Sequence, residues 1–230
     1  MLNEYYACRH GESMANVKGI VISDPAVGTK QYGLTEKGRR QAAATAGKAE
    51  GFGADTLIFS SDFKRAAETA EILRAALGVA EVQFDIRLRE RFFGEYEGAT
   101  HSSYSKAWMN DALNAEHTTG GVESAGAVRK RMFSVVQSLE TEHAGRKIIL
   151  VSHGDPLLLL QCEFDGIETA QHRMLKYFDT AELRALIPKG LPIASKKSVD
   201  EIFSGIRNVA KIRGDLTEPE TDSWGEDLLP

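Results

Sequence analysis

The 230-residue sequence has only two cysteines, Cys8 and Cys162. They form no C-x-x-C pattern and are too few for a disulfide scaffold, which suits a reducing compartment. Cys8 falls inside an apolar segment and is expected to be a small buried core residue. Basic charge is also short: 28 Lys and Arg against 33 Asp and Glu leave a formal net charge of −5. That balance argues against a general binder of nucleic acid or of a membrane surface, so any anion site has to be a local basic pocket. No apolar run approaches the length of a membrane span, and Met1-Leu2-Asn3-Glu4 does not read as a signal peptide. A cytoplasmic location is the expectation. No internal repeat is apparent.

What is present is a chain 42% hydrophobic and 27% charged, enough for one sizeable core over residues 1–187 plus an appendage over 188–230. The apolar run Tyr5-Tyr6-Ala7-Cys8 reads as a buried strand that delivers Arg9 and His10 at its C-terminal end, with Gly11 next. In open α/β sheets, ligands bind just beyond the carboxyl ends of strands. An arginine fork suits phosphate oxygens, and a histidine beside it can act as base, nucleophile or metal ligand. By itself the dipeptide is equally compatible with an ordinary strand end.

Residues 11–33 hold five glycines or prolines and no sustained period, so a long loop is expected there. Thr35 is placed to cap a helix running to about Lys48. A strand over Asp55–Ser60 runs into a helix whose stripe is Phe63, Ala66, Ala67, Ala70, Leu73 and Leu77, stopped by Gly78. Arg65 lies off that stripe in the first turn, where the helix N-terminus favours an anion. A short edge strand (Val82-Gln83-Phe84) precedes a charged, aromatic loop that carries Glu90. Helices are expected over 103–114 and 123–143. Lys147–Val151 is a continuous apolar run of the sort parallel sheets bury on both faces, and it delivers His153 at its end. A helix over 157–164 and a last strand over 182–187 complete an alternation that predicts an α/β sandwich with a mostly parallel sheet. Residues 188–230 read as a partly mobile extension with one amphipathic helix over 198–212.

Four segments then resemble one family in register. Arg9-His10-Gly11-Glu12-Ser13 with Asn16 is similar to the signature of the histidine phosphatase (phosphoglycerate-mutase-like) superfamily. Ser60-Ser61-Asp62-Phe63-Lys64-Arg65 resembles its phosphate-binding arginine motif. Leu88-Arg89-Glu90 with Phe93-Gly94-Glu95-Tyr96-Glu97-Gly98 resembles its acid-bearing segment, and Val151-Ser152-His153-Gly154 its second-histidine motif. The likeness spans about residues 4–187. It implies a three-layer α/β/α sandwich and a metal-independent phosphomonoesterase without cofactor. In that scheme His10 is the nucleophile that forms a phosphohistidine and Glu90 the general acid and base. Arg9, Arg65 and His153, with Asn16 and Gly154, hold the phosphoryl oxygens.

The motif continues Asp155-Pro156, with Asp155 expected as a helix N-cap, or as a carboxylate that opposes a second anionic group on the substrate. Arg87, Arg89 and Arg91 are candidates to extend the basic pocket, at least two of them being expected as surface charge. A mutase returning the phosphoryl group to substrate is the alternative, although the longer insertion and further basic motifs of the glycolytic mutases are not found. A metallophosphoesterase using His10, His153 and Asp155, and a non-catalytic phospho-ligand binder, are the remaining readings. The expected partner is a small phosphorylated molecule, with a phosphoprotein as the lesser alternative; a homodimer is compatible with the sequence. The segments expected to set specificity are 17–33 and 99–120.

Overall fold

The structure of the protein, a computed structural model, describes residues 1–189. In chain order the elements are β1 (Glu4–Arg9), α1 (Met14–Lys18), α2 (Pro25–Gly28), α3 (Glu36–Gly47), β2 (Leu57–Ser60) and α4 (Lys64–Leu77). There follow β3 (Val82–Phe84), α5 (Ser103–Leu113), α6 (Ala125–Glu142), β4 (Lys147–Ser152), α7 (Gly154–Asp165) and β5 (Leu183–Leu186).

The strands form one sheet in the order β3-β2-β4-β1-β5, parallel throughout except for β5, which runs antiparallel to β1. Two-residue periodicity splits each central strand between two cores. Tyr5, Ala7, Ile148 and Leu150 pack with Val128, Met132, Val135 and Leu139 of α6 and with Leu157, Leu160 and Phe164 of α7. Cys8, Ile58, Ile149 and Val151 pack on the other face with Ala46 of α3 and Ala66, Ala70 and Leu73 of α4. The result is the three-layer α/β/α sandwich. Each such buried aliphatic side chain contributes about 1.5–3 kcal/mol, so the two faces supply most of the driving force.

Local chemistry sets the ends of the helices. Thr35 caps α3 by accepting from the Gly38 N–H, and Ser124 caps α6 by accepting from Ala127. Gly78 and Gly166 close α4 and α7 at φ 72° and 64°, a left-handed conformation that glycine adopts without a Cβ penalty.

Two local expectations are corrected. The segment 11–33 is not all loop: α1 and α2 lie within it, capped by Ser13 and Asp24, with Pro25 at the first helical position. Helices of four and five residues bury too little to leave a period in the sequence. Helix α7 starts at Gly154, with His153 and not Asp155 at the N-cap, so Asp155 and Pro156 belong to its first turn. The helix expected over 198–212, with the extension beyond residue 189, lies outside the described residues. Among the described residues no helix is long and apolar enough to cross a membrane.

Candidate active site

The parallel pairing of β1 with β4 sets Arg9 opposite Ser152, so the next residues, His10 and His153, leave the sheet side by side. Their ring centroids are 5.2 Å apart. The pairing continues past the strands: the His10 N–H donates to the Ser152 carbonyl, and the Ser61 N–H to that of Val151. Three strand ends therefore meet at one edge, as expected for the carboxyl ends of an open α/β sheet.

The turn after His10 is pressed against α3. A Cβ on Gly11 would lie 2.5 Å from the Gly38 carbonyl oxygen, and a Cβ on Gly38 would overlap the backbone of Glu12. Neither glycine is there for a positive φ; the close approach of two backbones requires them. The contact is stitched by Thr35 N–H to the Glu12 carbonyl (2.9 Å) and by Glu12 N–H to Gln41 Oε1 (2.9 Å).

This turn orients the His10 ring. Its Nδ1 lies 2.7 Å from the Gly11 carbonyl, and its Nε2 lies 3.1 Å from Nε of Arg65. A carbonyl only accepts and a guanidinium only donates, so both contacts select the same tautomer: proton on Nδ1, lone pair on Nε2. Burial, followed by the charges of Arg65 and Arg9, holds the His10 pKa well below the usual histidine range. The ring is therefore neutral at pH 7, with Nε2 the atom able to act as a nucleophile.

Arg65 sits in the first turn of α4 but is only 3% exposed, not a solvated surface arginine. Nη2 donates to the Ile22 carbonyl at 3.0 Å and lies 3.6 Å from Glu90 Oε2. Arg9 donates from Nη1 to the Phe178 carbonyl and stacks on the Tyr177 ring at 4.9 Å. His153 pairs through Nε2 with Ser61 Oγ at 3.0 Å, and its Nδ1 lies 3.7 Å from Glu90 Oε2. Burial and the neighbouring Arg65 and His10 lower its pKa as well. Three buried nitrogens, Arg9 Nε, Arg65 Nη1 and His153 Nδ1, have no hydrogen-bond partner among the described residues. Buried donors of this kind are costly unless a ligand or water satisfies them, so the cluster is able to hold an anion.

Glu90 faces this cluster from the loop before Phe93. Its Oε1 accepts from the Arg91 N–H at 3.0 Å, and burial pushes its pKa up to about 7 despite the nearby Arg65 charge. A carboxyl poised there can give and take a proton at neutral pH.

The structure thus brings Arg9, His10, Arg65, Glu90 and His153 together. Gly154 and Asn16 line the same pocket, an open hollow of about 460 Å³ including its mouth. The Asn16 side-chain oxygen is committed to the Ser13 cap, so its amide nitrogen is the group left for a ligand.

Asp155 departs from its expected roles. Its carboxylate lines the pocket but receives Trp108 Nε1 (3.0 Å), Arg91 Nη1 (3.2 Å) and Arg173 Nη1 (3.3 Å). Burial opposes its charge, but His172, Arg91 and Arg173 outweigh burial and keep it ionised. Its negative charge is answered from within, so it does not stand as a bare repulsion against a second anion. Nor does it join the histidines: among the described residues no three His, Cys, Asp or Glu side chains are grouped as metal ligands. Arg87 and Arg89 pair with Asp85 and Asp62, and Arg91 is fully buried, so none of the three lines the pocket.

The outer wall comes from Ile20 and Ile22 and from His101, Tyr104 and Trp108 of the α5 region, within the two segments expected to set specificity. Tyr177, which stands before β5 and whose hydroxyl packs on Gly154, was not legible as a site residue. A lone tyrosine in a loop carries no signal of which strand end it will meet.

The histidine phosphatase superfamily (branch 1) matches residues 5–193. The chain is 32% identical over 157 residues to phosphoglycerate mutase-like protein 4 of Arabidopsis thaliana, an alignment covering 66% of each chain. It is 30% identical to the probable phosphoglycerate mutase GpmB of Escherichia coli, over 84% of this chain and 88% of that one. Among solved structures it is similar to a mycobacterial glucosyl-3-phosphoglycerate phosphatase (28% identity, TM-score 0.66, 79% and 88% coverage). It is also similar to Bacillus stearothermophilus YhfR (26% identity, TM-score 0.68, 86% and 98% coverage). Its sheet, its strand-end histidines and these likenesses agree: the chain belongs to the histidine phosphatase superfamily, branch 1.

Proposed function

We propose that the protein is a metal-independent phosphomonoester hydrolase working through a phosphohistidine on His10. The observation that carries the reading is the neutral His10 Nε2, held by Arg65 and facing a carboxyl of raised pKa across the same guanidinium. An incoming phosphoryl group offers the Arg65 Nε–H an oxygen acceptor, which frees the His10 lone pair to attack phosphorus. The P–O bond to the leaving group breaks, and Glu90 gives its proton to that oxygen. Arg9, Arg65 and His153, with the Asn16 amide, donate to the equatorial oxygens and stabilise the charge spread over them. Glu90, now ionised, takes a proton from water; the water oxygen bonds to phosphorus, the P–N bond breaks, and phosphate leaves.

The names of the relatives point both ways, to mutases and to a phosphatase. Hydrolysis is favoured by the pocket's charge. Of the described residues lining it, only Arg9 and Arg65 carry a permanent positive charge, which matches one phosphoryl group. A phosphoglycerate brings a carboxylate as well. The proposed substrate is thus a small phosphomonoester. The test is to supply 3-phosphoglycerate, primed with 2,3-bisphosphoglycerate, beside an aryl phosphate. Phosphate release from the aryl ester with little or no 2-phosphoglycerate is expected; efficient isomer exchange without phosphate release overturns the hydrolase reading.

A further inference from the structure

Next to Glu90 in sequence stands Arg91, the bulkiest of the fully buried side chains in the described residues. Its guanidinium forms a two-pronged pair with Asp111 of α5, Nη1 to Oδ2 at 2.6 Å and Nη2 to Oδ1 at 2.8 Å, with both side chains at 0% exposure. Nη1 also reaches Asp155 Oδ2 at 3.2 Å, and Nε donates to the Glu123 carbonyl at 2.7 Å. Asp111 is completed by His117, whose Nε2 lies 2.9 Å from Oδ1. Neither Arg91 nor Asp111 lines the pocket.

A buried ion pair of this kind gives little net stability, since apolar side chains of similar volume serve as well or better. What the fork does supply is direction, because a planar guanidinium meets a carboxylate two-pronged in one orientation only. The direction matters here because the Arg91 main-chain N–H donates to Glu90 Oε1 at 3.0 Å. Glu90 lines the pocket, whereas Arg91 is fully buried and does not. Fixing the arginine in the core fixes the peptide plane that holds the carboxyl in the pocket. Arg131 of α6 clamps the same strip from outside, donating to the carbonyls of Arg87, Arg89 and Glu90.

We infer that Asp111, on the helix that walls the pocket, is a positioning residue for Glu90 and acts through the buried Arg91 guanidinium. The inference rests on the proposed role of Glu90. It adds a link between α5, whose Trp108 lines the pocket, and the Glu90 carboxyl that lines the same pocket. Losing Asp111 leaves the nucleophile and the phosphate-holding arginines in place and lets the Glu90 carboxyl wander.

The test uses leaving groups. An aryl ester such as 4-nitrophenyl phosphate expels a stable phenolate and needs little proton donation; an alkyl ester such as glycerol phosphate needs it fully. The quantity to compare is kcat/KM, which reports the first phosphoryl transfer and not the later hydrolysis. Asp111→Asn in the full chain is expected to lose roughly 10- to 100-fold on the alkyl ester relative to the aryl ester, a displacement penalty smaller than outright loss of the acid. Arg91→Lys, which keeps the charge and loses the fork, should show the same selective loss. Because both esters are measured on one preparation, the ratio does not depend on the fraction of protein that is folded. Glu90→Gln is the reference. If it is selective and both other variants lose the two esters equally, or lose neither, the positioning role is overturned. If Glu90→Gln is itself unselective, the reading of Glu90 as the acid fails, and the inference with it.

Discussion

The Nε–H of Arg65 donates to Nε2 of His10 at 3.1 Å, so one guanidinium reaches from the nucleophile to the carboxylate of Glu90, 3.6 Å from its Nη2. The arginine helps keep the histidine lone pair unprotonated and, in the proposed mechanism, lowers the cost of charge on phosphoryl oxygens. It also opposes, without cancelling, the effect of burial on Glu90. In the proposed mechanism this sets a neutral nucleophile and a protonated acid within reach of one guanidinium.

Replacing His10 by alanine is expected to abolish turnover with little effect on folding, because the ring projects beyond the strand end. Brief incubation with labelled substrate and an alkaline quench should show acid-labile phosphate on the parent protein only. Label retained by His10→Ala would place the covalent site elsewhere.

The pKa of about 7 at Glu90 sets a pH dependence. Proton donation needs the protonated carboxyl, so kcat/KM for an alkyl ester should hold below about pH 7 and fall about tenfold per unit above it. His10 adds no limb near pH 6.5, since its own pKa lies well below that value. Glu90→Gln should remove the falling limb and lower kcat/KM for the alkyl ester by roughly 10²–10⁴-fold, the usual range for a lost general acid. A limb that survives in Glu90→Gln would belong to another group.

Two glycines of α3 should respond in opposite ways to alanine. Gly38→Ala drives a Cβ into the Glu12 backbone, which no rotamer change relieves, and should lower stability by about 1–3 kcal/mol. Gly47→Ala meets nothing within 4 Å and should be neutral or stabilising by about 0.4–1 kcal/mol. Urea unfolding of the two variants beside the parent checks both signs. The Gly38 variant should also lose activity, because the displaced turn carries His10.

The local features were legible in the sequence because local chemistry decides them. An apolar run ending in Arg9-His10 makes a strand with its ligand groups at the end; Thr35 and Gly78 mark helix boundaries through their own backbone preferences. The resemblance of four segments, in order, to one family was enough to name side chains that the structure brings together. Where the sequence misled, at α1, α2 and the start of α7, the elements were too short or too evenly apolar to show where they begin.

Only the tertiary structure decided how charges pair. Asp155 reads in sequence as a cap or a repulsive carboxylate, and Arg91 as one of three loop arginines; neither reading contains the other residue. Their partners, Asp111 and Trp108 of α5 and Arg173 from the segment after α7, come from elements whose packing is set by the apolar cores and not by the charges themselves. The same holds for the tautomer of His10, which depends on a carbonyl one residue away and a guanidinium delivered by another helix. Sequence fixes what a side chain can do; burial and neighbours, which arise only on folding, fix which protonation state it does it in.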